Sequence, residues 1–235
     1  MRTLSAIKYE IKFQMRHGFY YACLLLTVIY VVGLRMIPEN LRAVVSSLVI
    51  FTDPSVLGFF FIGGIVLLEK GQNTLESLFV TPLKVSEYIW AKVASLSMLS
   101  LSSSLAIAFF SLGGRFNLFW LILGVGLSSV LFSLVGFALA ARAESLNQYF
   151  FFYSFPTAIF ILLLLKYLGL PDIGLFYLLP TKPALLLIES AMKGVTLFDV
   201  VYAVATLCAW IVIAYKWAYR WFYMYTVLGI EGGRG

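Results

Sequence analysis

The chain has 235 residues, 62% of them hydrophobic and 12% charged, with a formal net charge of +6, whereas a soluble domain carries roughly 25% charged residues. These proportions exclude an ordinary water-soluble protein and point to an integral membrane protein. At about 20 apolar residues per crossing, the length allows roughly six helical spans and no separate soluble catalytic domain.

In chain order, MRTLSAIKYEIKFQMR predicts an amphipathic helix lying on the membrane surface. Leu4, Ile7, Ile11 and Met15 form one stripe, and Lys8, Lys12 and Arg16 form an adjacent one that faces lipid phosphates. No small-residue cleavage site follows Leu26, so this is not read as a signal peptide. The first span runs from Phe19 to Leu34, opened by Phe19, Tyr20 and Tyr21 at the interface. Arg35, Pro38, Glu39 and Arg42 end it. Asp53-Pro54 suits a helix start better than a helix middle. Residues 43–51 are therefore expected to form a short re-entrant or interfacial segment, and span 2 to run from Pro54 to Leu68 with Asp53 as its cap. Gly58, Gly63 and Gly64 allow another helix to approach closely, either from a second subunit or from within this one.

Residues 68–92, LEKGQNTLESLFVTPLKVSEYIWAK, interrupt the apolar pattern with a cluster of charges. Asn73 and Glu76 have the spacing of a capping box, Leu75, Leu78 and Phe79 share an apolar face, and Pro82 stops the helix. Ser86 then caps the helix leading into span 3, Tyr88 to Phe110. The residues alone leave two readings open: a short amphipathic helix parallel to the membrane, or a solvated loop. The serines at 95, 97, 100, 102, 103 and 104 either pack span 3 or line a substrate face.

Gly113-Gly114-Arg115 turns the chain into span 4, Leu118 to Ala141, and Arg142 and Glu144 mark a short loop. Span 5, Gln148 to Leu168, is kinked by Pro156, and Lys166 near its outer end snorkels to the interface. Residues 169–194, with Pro171, Pro180 and Pro183, predict short helices at the outer interface. Span 6 runs from Leu197 to Tyr215, followed by a basic aromatic belt of Lys216, Trp217, Tyr219, Arg220, Trp221 and Tyr223. Residues 1–228 read as a single membrane domain. The closing GIEGGRG, 229–235, is a native tail or an added remnant and is left out of the fold. Eleven of the seventeen lysines and arginines fall on the side of the N-terminus. This places both termini in the cytoplasm and the chain, as a multi-pass protein, in the cell inner (plasma) membrane. Basic residues make no continuous patch, so lipid headgroups are the expected surface partner and nucleic acid is not.

Most catalytic chemistry is excluded. His17 is the single histidine, so neither a histidine metal site nor a Ser-His pair can be built, and no metal is expected. Cys23 and Cys208 lie in apolar runs as small fillers. There is no P-loop, so the chain binds no ATP of its own and is not itself an enzyme. No carboxylate is expected in mid-span, because Asp53 and Asp199 are read as lying near span starts. A proton-driven mechanism is demoted on that ground.

Glu69 at the end of a span, Thr74-Leu75-Glu76-Ser77-Leu78, the turn Thr81-Pro82-Leu83, and Tyr88 and Lys92 opening the next span together resemble the membrane subunits of ABC-2 type exporters. A weaker similarity extends over the whole chain. The resemblance implies an all-α fold of six transmembrane helices. It adds an N-terminal interfacial helix, a cytoplasmic coupling helix between spans 2 and 3, and short outer helices between spans 5 and 6. It implies that Glu69, Thr74, Leu75, Glu76, Leu78, Phe79, Thr81 and Pro82 couple to a separate ATPase subunit, present in two copies, which binds the ATP and Mg. It further implies a second permease subunit, as a homodimer, and a pathway along spans 2 and 5 involving Gly58, Gly63, Gly64 and Pro156. The implied activity is outward movement of a hydrophobic or amphipathic substrate by alternating access, and DPSVLGFFFIGG and LFVTPL look most like members associated with drug export, including fluoroquinolones. Two alternatives remain: an ion-driven secondary multidrug transporter, and a non-transporting scaffold that recruits a cytosolic partner.

Overall fold

The computed structural model describes residues 2–72, 83–152, 154, 178–194 and 196–228, and among these the ordered elements are all helical. The helices are α1 (Arg2–Arg16), α2 (Phe19–Met36), α3 (Glu39–Val56), α4 (Ile62–Gly71), α5 (Val85–Leu112), α6 (Leu118–Arg142), α7 (Thr181–Lys193) and α8 (Leu197–Phe222). A π-helical turn, Leu57–Phe61, joins α3 to α4, and another, Tyr223–Val227, extends α8. Five of the resulting helical runs are long and apolar enough to cross a membrane: Phe19–Met36, Glu39–Gly71, Val85–Leu112, Leu118–Arg142 and Leu197–Val227. In hydrocarbon a spanning segment must satisfy its own backbone, which the helix does whatever the propensity of its β-branched residues.

Spans 1, 3 and 4 follow the sequence reading to within a few residues, and span 6 is longer. Its aromatic belt is a continuation of the same helix rather than a flanking segment. Helix begins again at residues 146–152, where span 5 was expected. The rest of that span, with Pro156 and Lys166, lies outside the described residues, as does the 229–235 tail. In the stretch expected to hold short outer helices, the described residues form α7. It is buried rather than superficial, packing on α3 and α6, and the Ala191 carbonyl accepts from the Asn117 N–H at 2.7 Å.

Span 2 requires a correction. The expected break at Asp53-Pro54 does not occur: helix runs through it from Glu39 to Gly71 as one 33-residue element, about 50 Å long. Asp53 caps nothing and lies close to the middle. Pro54 lacks an N–H and so cannot bond back to the preceding turn. The irregularity appears shortly after it, as the π turn. Within that turn the Phe59 carbonyl is taken by the Tyr149 hydroxyl, so a group released from the regular ladder is satisfied from outside the helix.

The central element is α6, which touches α3, α4, α5, α7 and α8. Two glycines of span 2 are part of that packing. A Cβ on Gly58 would lie 2.9 Å from the Ser133 backbone nitrogen, and one on Gly63 would lie 2.2 Å from the Tyr149 ring. Both are thus used for close approach within the chain, which is one of the two uses their sequence context allowed. Gly64 is looser, with the Phe19 ring 3.7 Å from its would-be Cβ.

Candidate functional site

Gly18 separates α1 from α2 with φ +82°, a left-handed conformation that glycine adopts without a Cβ penalty. The turn lays α1 against α5. The face it presents differs from the predicted apolar stripe. Leu4 and Met15 are exposed, whereas Glu10, Phe13 and Gln14 are buried. Their three- and four-residue spacing makes them one helix face.

That face meets the end of span 2 and the start of span 3. Lys92 on α5 is fully buried. Its ammonium lies 2.6 Å from Glu69 Oε1 of α4 and 2.9 Å from Glu10 Oε1 of α1. The Tyr88 hydroxyl donates to Glu69 Oε2 at 2.5 Å, and its ring lies under the same ammonium, 4.7 Å from centroid to Nζ. One turn further along, Gln14 Nε2 donates to Ser95 Oγ at 2.7 Å. Burial pushes the Glu10 carboxyl above its ordinary value, while the Lys92 ammonium acts in the opposite direction. Two carboxylates share one ammonium out of water, a costly arrangement in which Lys92 bonds to both while Glu10 Oε2 is left without a hydrogen-bond partner. Helices α1, α4 and α5 are therefore fixed to one another by a single cation.

The neighbouring end of the bundle is closed in a related way. Lys70 donates to the carbonyls of Ala140, Ala141 and Ala143 at 3.1, 2.7 and 3.1 Å. These are terminal carbonyls of α6, where a cation also meets the negative end of the helix dipole. Arg142 sits within 6.0 Å of the rings of Phe152, Trp221 and Tyr225. Helix α5 starts at Val85, two residues before the position expected from Ser86, and Glu87 accepts from the Lys84 N–H at 3.0 Å.

Of the sequence-derived coupling positions, Glu69 is placed in this cluster together with Tyr88 and Lys92, which belonged to the same pattern. Thr74, Leu75, Glu76, Leu78, Phe79, Thr81 and Pro82 lie outside the described residues, as does Pro156 of the pathway set. Glu10 and Gln14 were missed. The available signal was a glutamate and a glutamine at helical spacing on either side of Phe13, on a helix whose apolar stripe lies elsewhere.

A second polar feature lies mid-bundle. Asp53 is buried, and the Ser103 hydroxyl of α5 donates to its Oδ2. This overturns the expectation that no carboxylate lies in mid-span. Of the span 3 serines, Ser95 bonds within the cluster and Ser103 bonds Asp53, the packing use expected for them, while Ser102 and Ser97 border apolar grooves on opposite sides of α5. Among the described residues no group of histidine, cysteine and carboxylate side chains could hold a metal ion.

The model of the Fluoroquinolones export permease protein family matches residues 1–229. Two curated proteins from Mycobacterium tuberculosis, one from strain CDC 1551 / Oshkosh and one from strain H37Rv, are each 33% identical over 206 residues. The match covers 86% of this chain and 87% of each relative, and both relatives carry the name Fluoroquinolones export permease protein.

Proposed function

The chain belongs to the Fluoroquinolones export permease protein family, and from that premise we propose that it is the membrane subunit of an ATP-driven ABC-2 type exporter. It is an integral membrane protein with an export role; the energy source, assembly and substrate are the proposal. Two copies surround a transport path in the cell inner membrane with termini in the cytoplasm, and two separate ATPase subunits bind ATP and Mg. The substrate is a hydrophobic or amphipathic drug of the kind named for the relatives. ATPase closure is received by residues 70–82 and passed to the membrane helices.

The observation that carries this reading is the Glu10–Lys92–Glu69 cluster. It lies at the root of the expected coupling segment and ties α1, α4 and α5 into one unit. A push delivered between α4 and α5 therefore moves a rigid assembly rather than a loose loop. Inside-out vesicles containing the chain test it. Fluoroquinolone uptake should require both the ATPase subunit and ATP hydrolysis, and should survive collapse of the proton gradient by an uncoupler.

One observation favours a second reading, ion-driven transport: Asp53 supplies the mid-membrane carboxylate that a proton-coupled transporter needs. The same vesicles separate the two. Uptake without the ATPase that vanishes with the uncoupler would establish the second reading against the first.

A further inference from the structure

An apolar groove of about 480 Å³ runs between α2 and α5, walled by residues such as Leu24, Val28, Val31, Leu99 and Phe110. Its floor is not uniformly apolar, and the few hydroxyls there are not equivalent. The Thr27 hydroxyl is turned back to the Cys23 carbonyl of its own helix at 2.9 Å, and that of Ser102 to Leu99 at 2.7 Å. Ser103 differs: it lines the groove and donates through the helix interface to buried Asp53. Ser103 Oγ also lies 3.0 Å from the Ser100 carbonyl. With one proton, the hydroxyl serves either the carboxylate or that carbonyl at a given moment.

No lysine, arginine or histidine forms an ion pair with Asp53 among the described residues. A carboxyl group held in the middle of a bundle without a cation is a costly group of a kind that marks function rather than packing. We propose that the α2–α5 groove binds an amphipathic amine, with its apolar body between the helices and its ammonium on Ser103, which relays the charge to Asp53. The ammonium donates to Ser103 Oγ while that hydroxyl donates to Asp53 Oδ2, so every hydrogen bond in the chain has one donor and one acceptor. Charge complementarity selects the occupant: a lipid tail or an apolar helix face fills the walls but leaves Asp53 uncompensated. The site gives the transported compound of the preceding subsection a chemical class and rests on that reading.

The test uses the full chain alone in nanodiscs of zwitterionic lipid, without ATPase or ATP. Propranolol, a fluorescent amphipathic secondary amine, is the probe, and its N-acetyl derivative is the uncharged control; binding is measured by equilibrium dialysis. The amine is expected to bind at least about tenfold more tightly than the control, since a hydrogen bond to a charged group is at stake. Asp53→Asn should abolish that difference, and Ser103→Ala should reduce it. Ala106→Phe, which fills the groove from its α5 wall, should weaken both probes and serves as an independent arm if Asp53→Asn does not fold. Equal binding of the two probes by the unmodified chain would overturn the proposal. So would undiminished amine binding in folded Asp53→Asn, or in Ala106→Phe, which would leave the groove to lipid or to a second copy of the chain. The exporter reading fails separately: it falls if amine binding is intact but vesicle uptake does not need ATP, and it stands if uptake needs ATP while this binding is absent.

Discussion

Lys92 Nζ and Glu69 Oε1 stand 2.6 Å apart with neither side chain exposed to solvent, although they are 23 positions apart in the sequence. The same ammonium holds Glu10, 82 positions earlier in the sequence. One ammonium serves two carboxylates, so the three members are not equivalent.

Removing the cation should therefore cost most. Lys92→Met leaves two buried carboxylates facing one another and should destabilise the fold by about 3–5 kcal/mol. Glu10→Gln keeps the Lys92–Glu69 pair and a hydrogen-bonding side chain, and should cost about 1–2 kcal/mol. Thermal unfolding of the purified variants in one detergent should rank unmodified, Glu10→Gln, Lys92→Met from most to least stable. Equal midpoints for the two variants would show that the cluster is not organised around the lysine.

Gly63→Ala should destabilise through Tyr149. The added methyl meets the ring, and overpacking of this kind costs roughly 1–3 kcal/mol. In a Tyr149→Ala background the same substitution should cost much less, so a double-mutant cycle gives a clear coupling between the two positions. An additive cycle would place the effect of Gly63 elsewhere, such as at a contact with a second subunit.

Lys70→Met should loosen the end of α6. It removes a cation from three carbonyls, and about 1–2 kcal/mol of stability should go with it. Hydrogen exchange of the residues around Arg142 should accelerate while exchange at the Leu118 end of α6 stays unchanged. Uniform exchange along α6 would contradict the capping role.

Much of this arrangement was legible in the sequence, for reasons that differ from residue to residue. Spans 1, 3, 4 and 6 follow from apolar length, and Glu69, Tyr88 and Lys92 are parts of one pattern in the sequence. Their meeting is simple geometry, since they lie at the facing ends of two consecutive spans. Glu10 was not legible as their partner. The hydrophobic stripe of α1 says nothing of the face that meets α5, because a glutamate buried against a lysine scores as polar on any periodicity scale. Asp53 was misread for the opposite reason. A local rule about the residue before proline was applied where tertiary packing carries the helix through, and the π turn after it absorbs the fault. The same error hid the mid-bundle carboxylate and, with it, the groove beside Ser103.

The segment at 73–82 is tested by how strongly it holds the ATPase. Leu78 and Phe79 are the apolar positions of the expected docking helix, and Glu76 is a charge on its polar side. Truncating a buried interface aromatic commonly costs about 2 kcal/mol or more, and a rim charge costs less. Phe79→Ala should thus reduce co-purification of the ATPase subunit more than Glu76→Gln does. Equal retention by both variants would make the segment a solvated loop.

The central claim, that ATPase motion reaches the membrane helices through the buried cluster, is tested most directly by substrate-stimulated ATP hydrolysis of the complex reconstituted in lipid. The comparison is between the unmodified chain and Glu69→Gln. Glu69→Gln keeps the shape of the side chain but weakens its hold on Lys92 and Tyr88. It should leave the complex assembled with its unstimulated hydrolysis, and should reduce the stimulation by substrate severalfold. Full stimulation in an assembled Glu69→Gln complex would contradict the account.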